Sequence, residues 1–100
     1  MKVSNMKSSN GNSIPNQFII TEEGRGANGN FIRKEVFQSY ASVIVERIVW
    51  PDEIRITLDR EYWDYSTTTG KYRNQFLGEN KAATERKIKS GEYTLADLNQ

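Results

Sequence analysis

The chain has 100 residues, 14 of them basic and 13 acidic, so its formal net charge is +1 and it exerts no global pull on nucleic acid or lipid. It holds no histidine and no cysteine, which removes imidazole and thiolate catalysis, metals bound by those groups, and any disulfide. Apolar residues make up 36%, enough for a single small domain with a modest core, and no apolar run approaches the ~20 residues of a membrane span.

Residues 1–16 are rich in Ser and Asn and read as a disordered polar tail ahead of a single α+β domain over 17–100. They also lack the apolar stretch of a secretion signal. With the absence of cysteine, this points to a cytoplasmic protein. Phe18-Ile19-Ile20-Thr21 is a short strand signal. Residues 22–30 form a Gly/Asn loop in which Asn28-Gly29 suits a tight hairpin turn. Residues 31–40 read as a strand with one solvated face. Residues 41–49 follow, and Val43-Ile44-Val45, apolar on both faces, marks a central strand. After a turn at Trp50-Pro51-Asp52-Glu53, Ile54, Ile56 and Leu58 alternate inward with Arg55, Thr57 and Asp59 outward. Together these predict an antiparallel meander of about four strands.

The period then changes. Ser66 is an N-cap signal, and a helix over 67–77 ends at Gly78. Tyr65, Thr69, Tyr72 and Phe76 share one face of it at helical spacing. Asn80 caps a second helix over 81–90, closed by Gly91. Residues 92–100, with Tyr93, Leu95 and Leu98, dock back as an extended or one-turn segment.

Several motifs lose their chemistry in context. Gly24-Arg25-Gly26-Ala27-Asn28-Gly29 matches a dinucleotide fingerprint, but a strand follows it where a helix N-terminus is needed. Pro51-Asp52 with Glu79-Asn80-Lys81 imitates a metal-dependent nuclease signature, yet Pro51 falls in a turn and Lys81 opens a helix. Asp59, Glu61 and Asp64 cluster without the spacing of a calcium loop and read as a solvated strand end. Ser66 to Thr69 have no histidine to activate them. No cofactor or metal is expected, and no catalytic residue stands out.

Charge is unevenly spread. Residues 17–65 carry six basic and nine acidic side chains, a net of −3. Residues 66–91 carry Lys71, Arg73, Lys81, Arg86, Lys87 and Lys89 against Glu79 and Glu85, a net of +4. This asymmetry suits a polyanion or an acidic protein partner. On the second helix, Arg86 and Lys89 share an exposed side, while Lys81 and Lys89 can both pair with Glu85. Tyr62, Trp63, Tyr65 and Tyr72 offer stacking surfaces for single strands, or packing between sheet and helix.

Phe37-Gln38-Ser39-Tyr40, followed by Trp63, Tyr65, Ser66, Thr68, Thr69, Lys71, Phe76 and Leu77, resembles a family of short uncharacterised phage, prophage and plasmid proteins of Firmicutes, with the pattern F-x-S-Y, then W-x-Y-S-x-T-T-x-K and F-L. The resemblance implies a mobile-element protein in a bacterial host cytoplasm and carries no activity with it. The favoured expectation is a non-enzymatic accessory protein that binds DNA or RNA. Phosphates would meet Lys71, Arg73, Arg86, Lys87 and Lys89, and bases would stack on Tyr72 or Trp63. The alternative is a module that binds a host or phage protein and inhibits a host enzyme or defence complex. It would present Glu22, Glu23, Asp59, Glu61 and Asp64. A third reading, a Mg²⁺-dependent nuclease, rests on the weak acidic signature alone.

Overall fold

A computed structural model describes residues 1–24 and 31–99. Strands β1 (Lys2–Lys7), β2 (Ser13–Glu23), β3 (Arg33–Ser39), β4 (Ser42–Val49) and β5 (Ile54–Asp59) form an antiparallel meander in chain order. Strand β6 (Thr94–Ala96) adds to the far edge, parallel to β5. A parallel neighbour demands a crossover of a dozen residues or more. Helices α1 (Thr67–Leu77) and α2 (Lys81–Ser90) supply it. The class is α+β as expected, but the described sheet has six strands instead of about four.

Residues 1–16 depart from the expected tail. Val3 pairs with Ile20 and Asn5 with Phe18, and Met6 is only 2% exposed. An edge strand satisfies its backbone through one neighbour, so a single inward methionine replaces the alternation that a sequence reading looks for. Pro15 lies inside β2, beside Asn16 at φ 64° and a register shift opposite Asn5 and Lys7. Strands tolerate proline at such irregularities. The Asn28-Gly29 turn and the glycine pattern beyond Gly24 lie outside the described residues. Gly24 N–H donates to Ile32 O at 2.8 Å.

Register fixes which side chains share a face. Ser4, Ile19, Phe37, Val45, Leu58 and Leu95 form one row across all six strands. Phe37 stacks on Phe76 of α1 with ring centroids 5.9 Å apart, so this row faces the helices. Met6, Phe37, Ile44, Val45, Leu58, Phe76 and Tyr93 are the buried core. The adjacent row Val3, Ile20, Val36, Glu46, Thr57 and Thr94 lies on the opposite face. Ile54 keeps the inward parity of Ile56 and Leu58 yet is exposed, because it opens β5 at the end of the sheet.

Both helices start and stop where their caps dictate. Ser66 Oγ accepts from Thr69 N–H at 3.1 Å and Asn80 Oδ1 from Ala83 N–H at 2.9 Å. Gly78 and Gly91 close them in left-handed conformation, at φ 71° and 85°. Among the described residues, no helix is long and apolar enough to cross a membrane.

Candidate functional site

The chain leaves β5 through Asp59, which is buried and fully engaged. Its Oδ2 accepts from the amides of Glu61 and Tyr62, and its Oδ1 from that of Leu98 at 2.8 Å. Burial alone would raise its carboxyl. The bonds from Leu98, Tyr62, Asn99 and Glu61 outweigh it and hold the group below the usual range. Asp59 is therefore an internal clamp, which corrects its place in a solvated acidic cluster.

Arg73 is also internal. It is 1% exposed, and its side chain runs back along α1 toward the preceding turn, as long helical side chains do. Nη1 donates to Trp63 O at 2.7 Å and to Asp64 Oδ1 at 3.2 Å, and Nη2 to Asn74 Oδ1 at 2.9 Å. The guanidinium carbon lies 5.2 Å from the Trp63 ring centroid. Neither Arg73 nor the covered face of Trp63 is free to meet a polyanion, so both leave the expected contact set.

Lys87 leaves it as well. Its Nζ is 2.7 Å from Glu79 Oε1. The same oxygen accepts from Tyr93 OH at 3.0 Å, and Oε2 from Thr84 Oγ1 at 2.7 Å. Burial pushes Glu79 up, but Lys87, Thr84 and Tyr93 outweigh that and lower it. This hub locks α2 onto the segment leading to β6. Lys81 does not pair with Glu85 as its spacing suggested; its Nζ lies 2.6 Å from Asp64 Oδ2. The nuclease-like residues are therefore dispersed. Glu79 is committed to its three donors, Lys81 to Asp64, and Asp52 is exposed in the β4–β5 turn.

Lys71, Arg86 and Lys89 remain exposed, with no carboxylate partner among the described residues. Cations of β3 and β4 are matched instead: Arg33 and Arg47 with Glu35, and Lys34 with Glu46. Tyr72 is half-buried with Lys71 Nζ 5.4 Å from its ring centroid. Tyr65 is 46% exposed, off the aromatic face assigned to it, because it precedes the extended N-cap Ser66. Of the acidic side chains expected to face a protein partner, Glu22, Glu23 and Glu61 are exposed, Asp59 is buried, and Asp64 is bound by Arg73 and Lys81.

A cleft of about 660 Å³ lies against the start of α1, lined by Tyr65, Ser66, Thr67, Gly70, Lys71, Arg73, Asn74, Asp64 and Lys81. The sequence reading missed Lys81 as a member of this site. The helix-start signal at Asn80 placed it, but its nearness to Asp64 is a tertiary fact.

No characterised protein and no solved structure matches the chain significantly. A family model does match, over residues 1–92, nearly the whole sheet and both helices. The chain therefore belongs to DUF8033, a family of unknown function.

Proposed function

We propose that this is a small, non-enzymatic accessory protein of a phage or related mobile element, acting in the host cytoplasm and binding nucleic acid through cations of its helical layer. The observation that supports it is a group of uncommitted cations on the helical layer. Lys71, Arg86 and Lys89 project from the two helices without carboxylate partners among the described residues, whereas Arg33, Lys34 and Arg47 of β3 and β4 are neutralised locally and, in the sheet, Lys2 and Lys7 of the edge strand β1 are not. The mobile-element origin rests on the sequence resemblance. Three phosphate contacts predict a slope of log affinity against log salt of about −2 on a single strand and about −3 on a duplex. Fluorescence anisotropy with labelled oligonucleotides across a salt series tests this, and affinity indifferent to salt would remove the phosphate-contact model.

A second reading, a protein-binding module, is supported by the sheet face turned away from the helices. There Phe18, Ile20, Val36, Val43 and Ile48 are only half-buried, and Val3 is exposed. Residues beyond β6 cover one end of this face. Asn99 brackets the Val43 backbone with bonds of 2.6 and 2.8 Å, leaving a groove of about 300 Å³ between Leu98, Ile20, Val36 and Val43. On this reading Ile20→Lys abolishes a protein complex and leaves oligonucleotide affinity unchanged.

A further inference from the structure

We infer that the sheet face turned away from the helices is covered by a second copy of this chain, packed sheet on sheet about a two-fold axis. This rests on the protein-binding reading and names its occupant.

The composition of the face is the first argument. An antiparallel sheet surface that faces water alternates to polar side chains. Here Val3, Phe18, Ile20, Val36, Val43 and Ile48 lie on it, Val3 exposed and the others half-buried. Val3 sits beside Ile20, and Ile20 beside Val36, so the apolar surface is continuous across strands. A contiguous patch of this kind marks an interaction surface.

Charge selects the partner. One row of the same face runs Glu22, Lys34, Ile48, Arg55 from β2 to β5. A contact across a two-fold axis requires a patch that complements itself. An axis parallel to the strands, midway between β3 and β4, exchanges β2 with β5 and β3 with β4. It therefore lays Glu22 of one protomer over Arg55 of the partner subunit, and does so twice. Glu22 is exposed with no cationic partner among the described residues, and Arg55 meets only exposed Glu53, at 3.4 Å. Lys34 is already neutralised by Glu46 at 3.4 Å. These four ionic side chains sum to zero, and none enters the contact without an opposite charge.

Size agrees. Five strands about 4.8 Å apart and about six residues long make a plane of roughly 500 Å² before side-chain relief is counted. That is comparable with the ~800 Å² of accessible surface each partner gives to a standard interface. Two such sheets stack about 10 Å apart, as in a β-sandwich. Both helical layers, with Lys71, Arg86 and Lys89, then face outward.

Sedimentation equilibrium of the full chain across micromolar concentrations tests this. The expected mass is twice the 11.5 kDa of one chain. Glu22→Arg or Arg55→Glu alone sets like charges against each other and weakens self-association about tenfold or more; the two together restore it. Both positions are exposed, so the swaps report contact and not folding. A monomer at every concentration overturns the second copy and leaves the protein-binding reading standing. That reading falls only if Ile20→Lys leaves every protein complex of the chain intact. A dimer indifferent to the two swaps is built on another surface and equally overturns the inference. The chain has no cysteine, so Thr57→Cys, a small change on the same face, carries a unique thiol. Its reaction with a maleimide slows as protein concentration rises, and a rate independent of concentration overturns the contact at this face.

Discussion

Ser39 Oγ and Thr69 Oγ1 lie 2.9 Å apart with both residues fully buried, joining the last residue of β3 to the first turn of α1. Two positions away on β3, Phe37 stacks on Phe76 near the other end of the helix. The two separated pieces of the sequence pattern, F-x-S-Y and W-x-Y-S-x-T-T-x-K with F-L, thus touch through these two pairs.

Ser39→Ala leaves the Thr69 hydroxyl buried without this partner and is expected to cost about 1–3 kcal/mol. Thr69→Val alone costs a similar amount. The double variant, with both polar groups gone, recovers much of the loss. Urea denaturation of all four proteins closes the cycle, and strictly additive losses would show that the two hydroxyls do not interact.

Arg73→Lys is expected to destabilise by about 1–3 kcal/mol, because an ammonium cannot reproduce the forked bonds to Trp63 O, Asp64 and Asn74. Lys71→Gln, at the surface of the same helix, should fall within about 0.5 kcal/mol of the parent. Thermal melts separate the two, and oligonucleotide affinity should respond in the opposite order.

Glu35, Asp59, Asp64 and Glu79 are all held below their ordinary values. A carboxyl depressed in the folded state contributes stability above its unfolded value near 4, and loses it as pH falls through the folded value. Stability should therefore be flat around neutrality and drop steeply below about pH 4. Glu79→Gln should lower stability at pH 7 and make the acid limb shallower, as read from urea midpoints at several pH values. An acid limb unchanged in slope would remove Glu79 from the account.

Met6→Ala is expected to cost about 2–3 kcal/mol, at the low end for a buried methionine because β1 is an edge strand. A free tail would tolerate the change at no cost, so one melting curve distinguishes the two descriptions of residues 1–16.

What the sequence disclosed was local. Ser66, Gly78, Asn80 and Gly91 mark helix ends by their own side chains or by their freedom at positive φ, and both helices lie where those residues put them. The alternation of Ile56 and Leu58 and the apolar run at Val43 to Val45 likewise mark β5 and β4. β1 escaped because its only fully buried side chain is Met6. β6 was legible only as an extended or one-turn segment docking back, because three residues carry no period to mark a strand. The fate of the cations was hidden for a different reason. Arg73 and Lys87 have the same composition signal as Arg86 and Lys89, and only the fold brings Trp63 O, Asp64 and Glu79 to them. Charge counted along a chain overstates the charge available at its surface.

The parallel placement of β6 has a consequence for how the molecule assembles. β5 ends at Asp59 and its outer neighbour begins only at Thr94, so on the ribosome that side of the meander stays bare until both helices have emerged and folded over. Its unpaired peptide groups form a sticky rim during that interval. A chain stalled or cleaved between α1 and β6 would present the same rim indefinitely, and self-association would begin there.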